Sequence, residues 1–418
     1  GSRMAVRSSP GTYLRDEPLF PRVELGVVGK PNVGKSTFFA AATLAPAQIA
    51  NYPFTTIEPN RGIAYVRHRC PHLDLGHPCR PNNAPCQDGV RLIPVELLDV
   101  AGLVPKAHEG RGLGNKFLDD LRQASALVHV IDATGGTDFE GNIVPSGSHD
   151  PLEDVHFLED ELAYWIAGIL TRNWEKEARH ADLEEVPPEK VLYDRLTGLG
   201  LTEAQIHLAL RETPLDPKMV RWTSNDLLHL AHSLRKIGKP MILAANKADL
   251  VPKERLEALA TVEGYRTVPT SAEFELALRR AAQSRLVTYE PGAPSFSVPD
   301  PARLSGPQVK GLDKIKAFLE ARGTTGVQAC VEEAVFKLLD LIVVFPVEDE
   351  THWTDKKGNV LPDAFLVPRG STAVDVAFKV HTDLGKHFIR AIDGRTKMVV
   401  GRDHAVRDGD VLKIVAKA

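Results

Sequence analysis

Gly29, Gly34, Lys35 and Ser36 stand at the spacing G-x-x-x-x-G-K-S. In that pattern backbone N–H groups wrap phosphate oxygens, the lysine meets the terminal phosphates and the serine ligates Mg²⁺. Pro31, Asn32 and Val33 fill the loop and Thr37 follows it. A second group, Asn246, Lys247 and Asp249 in NKAD, comes directly after the apolar run MILAA. A fixed aspartate there can accept both the ring N–H and the exocyclic amine of guanine, with Lys247 packed along the base and Asn246 tying the loop down. Adenine would offer an acceptor where the carboxylate needs a donor, a mismatch worth on the order of 10⁴ in selectivity. Thr270-Ser271-Ala272 follows another short apolar stretch, and Ser271 and Ala272 suit a backbone contact to the base carbonyl.

Between these groups, Val90 to Asp99 reads as a strand ending on a carboxylate, the Walker-B arrangement in which Asp99 holds Mg²⁺ through water. Thr56, in the polar loop NYPFTTIEPN, would be a second direct Mg²⁺ ligand once that loop closes over a γ-phosphate. Gly102 would offer its N–H to the same phosphate, and release of both contacts on hydrolysis is an order-to-disorder signal. The residue after Gly102 is Leu103, which cannot orient water. That task falls to another group, a partner or an ion: His108 is a candidate, with a solvated loop histidine as the alternative. Asn32 could give an oxygen to K⁺ beside the transferring phosphate, or could simply cap the loop. Phosphoryl transfer of this kind proceeds by positioning and charge, with Lys35 the principal cation.

The elements that must hold these residues follow from the apolar runs. Strands at Val23 to Val28, Val90 to Asp99, Ala126 to Asp132 and Pro240 to Ala245 alternate with helical stretches. This predicts a parallel, doubly wound α/β sheet with its ligand at the strands' carboxyl ends. The expected nucleotide domain covers 23–149 and 240–337. A helical insertion at 150–239 has Val155, Leu158, Leu162, Ile166 and Ile169 on one face and a capping box at Thr202-x-x-Gln205. A small α+β module should occupy 338–418, and residues 1–22, with Gly-Ser-Arg before Met4, read as a leader or expression extension.

The 418 residues, 43% hydrophobic, can fill two or three domains. A formal net charge of -4 argues against wholesale polyanion binding, so a nucleic-acid contact must be local. No run approaches the ~18 apolar residues of a membrane span. Four cysteines in so long a chain read as reduced thiols or metal ligands, and so as a cytoplasmic protein, with a monomer favoured. Three of them, Cys70, Cys79 and Cys86, lie in RHRCPHLDLGHPCRPNNAPC. With His68, His72 or His77 they could form a tetrahedral Zn²⁺ set. The segment lacks a short C-x-x-C knuckle, and a loop carrying three free thiols is the alternative.

Taken together, GKPNVGKST, NYPFTTIEPN, DVAGLV and above all AHEGRGLGNKFLDDLRQA resemble the Obg-family GTPases, in particular the archaeal form of the YchF subfamily. The resemblance runs from Val23 to Ala418 and implies a P-loop NTPase fold with a helical insertion and a ubiquitin-like TGS module from about Phe345. It also implies Mg²⁺-dependent nucleotide hydrolysis, slow in isolation, a role in hydrolysis for His108, and association with the ribosome or RNA. A nucleotide-gated interaction protein, for which hydrolysis only resets the switch, is the alternative. Many YchF relatives carry N-x-x-E and prefer ATP. Asp249 departs from that pattern, so GTP and GDP are the expected ligands, with an ATPase as the rival.

Overall fold

The computed structural model describes residues 23–46, 49, 60–100 and 113–418. Thr56, Gly102, Leu103 and His108 lie outside the described residues.

The apolar runs form a seven-stranded sheet: β1 (Glu24–Val28), β2 (Arg61–Arg69), β3 (Cys86–Gln87), β4 (Val90–Asp99), β5 (Ala126–Asp132), β6 (Met241–Asn246) and β7 (Arg266–Pro269). Its order is β2-β4-β1-β5-β6-β7, with β3 on β4. The pairs β1–β4, β1–β5, β5–β6 and β6–β7 are parallel, whereas β2 and β3 run antiparallel to β4. β5 and β6 are buried along their whole length, as central parallel strands covered on both faces must be. Register then sets the chemistry: Val27 pairs with Asp99 and Asp132 with Asn246. Three polar side chains thus reach the same carboxyl edge, from strands that are otherwise hydrophobic.

Five helices between β5 and β6, from Pro151 to Gly238, pack on one face of the sheet. Val155, Leu158, Leu162 and Ile166 are buried there and Ile169 is partly so. Thr202 and Gln205 form the expected reciprocal cap. In the charged run from Trp174 the apolar residues Trp174, Ala178 and Ala181 turn inward and most of the charges outward.

A second sheet, β8 (Leu341–Val347), β9 (Phe365–Pro368), β10 (Phe388–Asp393), β11 (Val399–Val400) and β12 (Val411–Ala416), has the order β11-β10-β12-β8-β9. Helix Ala373–Val380 covers one face through Ala373 and Val376. The other face does not end at a domain boundary. Phe345, Trp353 and Leu361 share one core cluster with Leu97 and Ala64 of the first sheet and Phe38 of the helix Lys35–Thr43, so the two modules bury apolar surface against each other.

Candidate functional site

The loop after β1 is shaped by two glycines. A Cβ at Gly29 would lie 2.9 Å from the Val130 carbonyl oxygen, and Gly34 adopts φ +93 at the start of helix Lys35–Thr43. There a Cβ would also strike the Asn246 carboxamide. Any L side chain at Gly34 would be strained and obstructed. A loop of this shape at a helix start can offer backbone N–H groups and the positive helix end to an anion.

Asn246, 3% exposed at the end of β6, connects this loop to the far side of the cavity. Its Nδ2 donates to the Val33 carbonyl (2.9 Å), and its Oδ1 accepts from Thr270 Oγ1 (3.2 Å) and Ala272 N (3.0 Å). The Ala248 N–H bonds the Thr270 carbonyl at 3.0 Å, which fixes the short turn Ala248–Leu250 that carries Asp249. Lys247, at φ +62, donates through Nζ to the Asn32 carbonyl (2.7 Å) and Asp132 (3.2 Å). Burial alone would raise the Asp132 carboxyl. The Thr134 hydroxyl, the Lys247 ammonium and Thr137 outweigh it and hold the group below its ordinary value.

Pro31, Asn32, Gly34, Lys35, Ser36 and Thr37 line one cavity of about 490 Å³ together with Asn246, Lys247, Asp249, Ser271 and Ala272. Lys30, Leu250 and Glu273 complete its wall. That volume is in the range of small-molecule sites, ~300–1,000 Å³. Clefts of similar size, about 520 Å³, lie at Thr171–Leu183 and beside Arg67, so it is the lining that distinguishes the site. Gly29 and Val33 are buried behind the wall and act through the backbone. Asp99 sits below Lys35, whose Nζ donates to its carboxylate and, at 2.8 Å, to the Val100 carbonyl. Asn32 Nδ2 donates to the Gly141 carbonyl at 2.8 Å, so its amide nitrogen serves the loop. Cys70, Cys79 and Cys86 gather elsewhere, at the end of β2.

Two participants escape a reading of the motifs. Lys30, 6% exposed, pairs with Asp154 (2.7 Å) and donates to the Thr137 carbonyl (3.0 Å), while His149 Nε2 lies 3.0 Å from the same aspartate. Asp154 belongs to the first turn of helix Pro151–Thr171. The phosphate loop is thereby joined to the helical insertion by a buried charge pair. Asp132 is the other, and its signal was present in ALVHVID, a buried strand ending on a carboxylate as Asp99 does.

Residues 24–156 match the family model described as 50S ribosome-binding GTPase. Residues 244–349 match Obg-like GTPase YGR210-like, G4 motif-containing domain, and residues 352–416 match the TGS domain. The uncharacterized GTP-binding protein MJ1332 of Methanocaldococcus jannaschii is 53% identical, over 94% of this chain and 99% of its own. The Ribosome-binding ATPase YchF of Haemophilus ducreyi is 28% identical over 93% of this chain and 97% of its own. Among solved structures, the GTP binding protein from Pyrococcus horikoshii OT3 superposes with a TM-score of 0.77 at 42% identity, covering 94% of this chain and all of that one.

His129, on β5 and 2% exposed, offers a test of how tightly the site's floor is sealed. Burial first, and Lys30 second, push its imidazole from 6.5 down to about 3. At neutral pH it is uncharged in both states. As pH falls below 6.5 the unfolded chain takes up the proton first, so folding loses up to about 1.4 kcal/mol per pH unit until the folded-state value is reached. Urea unfolding of the wild type and of His129→Leu between pH 7 and pH 4 (roughly the window in which the unfolded histidine has taken up its proton and the folded one has not) should show a shallower acid slope in the variant; parallel slopes would contradict this.

Proposed function

The chain belongs to the Obg-like GTPases, in the YchF group that ends in a TGS domain, and from that premise we propose that it is an Mg²⁺-dependent GTP-binding switch that hydrolyses GTP and acts at the ribosome. The observation that carries the guanine reading is Asn246, whose side chain bonds the phosphate loop at Val33 and the Thr270–Ala272 segment, on which the turn bearing Asp249 rests through Ala248 N. A carboxylate at that place accepts from guanine's N1–H and 2-amine together. The H. ducreyi relative is named an ATPase; the aspartate at 249 is the reason to assign guanine here. Gly29, Val33 and Gly34 shape the cradle, and Ser271 and Ala272 close the base side.

Loading a triphosphate moves Lys35 from Asp99 and the Val100 carbonyl onto the β- and γ-phosphate oxygens, which frees the Asp99 carboxylate. Ser36 would give Mg²⁺ its hydroxyl oxygen directly and Asp99 would hold the ion through water, with Thr56 as the second direct ligand brought by the closing loop. Mg²⁺ held by these residues would neutralise phosphate charge. Orientation of the attacking water is assigned to the segment holding Leu103 and His108, with Gly102 meeting the γ-phosphate. Asn32, its amide nitrogen committed to Gly141 and its backbone carbonyl to Lys247, keeps the side-chain Oδ1 for K⁺. Ribosome association rests on the names of the matched family and relatives and on the presence of a TGS domain.

Asp249→Asn should lower GTP affinity by about 100-fold, the ~2–3 kcal/mol of a buried donor set against a donor. It should raise affinity for XTP, whose 2-carbonyl accepts from the new amide. Isothermal titration with both nucleotides reads this, and an unchanged GTP affinity would remove Asp249 from the base site. For the partner, cosedimentation with ribosomes should be stronger with a non-hydrolysable GTP analogue than with GDP. Absence of the protein from the ribosomal pellet with either nucleotide would contradict that part of the reading.

A further inference from the structure

The β2–β4 hairpin carries a second cluster that the nucleotide chemistry does not use. Cys70 follows the last residue of β2 and is fully buried, while His72, Cys79 and Cys86 are half-buried. The Cys70 carbonyl accepts from Leu73 N (3.2 Å) and the Pro71 carbonyl from Asp74 N (2.9 Å), so one helical turn brings His72 back over Cys70. Gly76, at φ +80, ends that turn. Cys86 stands opposite Arg91 in the β3–β4 pair, which closes through Asp88 at φ +50 and Gly89 at φ +84. Three separate backbone devices therefore aim four ligand atoms at one point.

We propose that Cys70, His72, Cys79 and Cys86 form a structural Zn²⁺ site that locks this hairpin against the C-terminal module. The four ligand atoms all lie within 4.8 Å of one another. Cys70 Sγ and Cys79 Sγ are 3.8 Å apart, and Cys86 Sγ is 3.6 Å from His72 Nδ1. Tetrahedral zinc, with Zn–S near 2.3 Å and Zn–N near 2.0–2.1 Å, requires edges of about 3.8 Å for S···S and about 3.6 Å for S···N. A disulfide would require about 2.0 Å between sulfurs. Cys₃His is a closed structural donor set, and its soft thiolates favour zinc over Mg²⁺ or Ca²⁺.

The surroundings fit the charge. Three thiolates and a neutral imidazole around Zn²⁺ leave one negative charge. Arg91, fully buried, places Nη1 3.7 Å from Cys70 Sγ. The same guanidinium donates to the carbonyls of Ala84 (3.0 Å) and Leu361 (2.9 Å) and lies over the Phe345 ring. It thus joins the cluster to the C-terminal sheet and holds a positive charge beside the Cys70 sulfur. The remaining histidines are engaged or apart. His68 is bound to Asp408 through Nε2 and to the Arg69 carbonyl through Nδ1, and His77 is exposed outside the quartet.

The loop that the ion would fix is the one that docks the two modules. Arg80 N donates to the Val360 carbonyl (2.9 Å) and Asn82 N to the Pro362 carbonyl (2.6 Å). Asn83 exchanges bonds with the Ala364 backbone at 2.8 and 2.9 Å, and Asp74 pairs with Arg395 at 2.8 Å. Apart from one helical turn and the two-residue β3, this loop has no ladder of its own to hold that shape. Cross-linking four points of it through a metal supplies the constraint.

The test uses the full chain, purified under reducing conditions without chelator and assayed for metals by mass spectrometry. About one zinc per chain is expected, falling below about a tenth in Cys79→Ser and Cys86→Ser and unchanged in His77→Ala. A cobalt titration of the zinc-stripped wild type guards against variants that misfold: it should give the intense visible bands of tetrahedral thiolate coordination. Chelation should also open the segment 76–85 to protease. Wild-type protein with neither zinc nor a cobalt spectrum, iron in place of zinc, or undiminished zinc in both serine variants would overturn the proposal. None of these readouts depends on nucleotide, so the site stands or falls apart from the GTP assignment.

Discussion

The Asn246 carboxamide donates to Val33 and accepts from Thr270 and Ala272, so three connections at the carboxyl edge of the sheet share one buried side chain. Remove it and a carbonyl, a hydroxyl and an N–H lose their partners at once, each costing about 1–3 kcal/mol when left buried. The same amide explains why position 34 must be glycine, since a Cβ there would occupy the amide's place. The glycine loop and the turn that carries Asp249 are thus held together. The separation of Lys35 and Asp249 across the cavity is set by β1 and β6, one strand apart across β5.

Around that site the chain makes two seams. Lys30 reaches from the phosphate loop to Asp154 in the first turn of the insertion helix, within a pocket that also holds His149. A buried pair of this kind contributes little net stability, yet breaking one partner costs about 3–5 kcal/mol, so the insertion helix is held to the loop. On the opposite side, the β2–β4 hairpin meets the C-terminal sheet through a shared core and through Arg91.

The sequence motifs place most of the cavity wall because those residues are local. The glycine loop must follow a strand, and NKAD must follow another; once both strands are parallel and in register, Lys35 and Asp249 face one space. What escaped are contacts across more than a hundred residues: Lys30 with Asp154, Asn32 with Gly141, Lys247 with Asp132. Spacing along the chain carries no information about such pairs. The choice of His72 among three histidines was equally hidden, because it depends on the turn at Pro71 and on Asp408 having taken His68. The sequence from 338 onward reads as a small α+β module but does not show that it packs on the first sheet, since burial looks the same whether a residue packs within its own sheet or against another.

The central claim, that Asp249 selects guanine within a cradle locked by Asn246, is tested most directly by competition binding of GTP, GDP and ATP to the purified chain in Mg²⁺. The account predicts guanine nucleotides bound at about micromolar Kd or tighter and ATP weaker by at least about tenfold. Equal or tighter binding of ATP would contradict it and would mean that the Asp249 carboxylate does not meet the base.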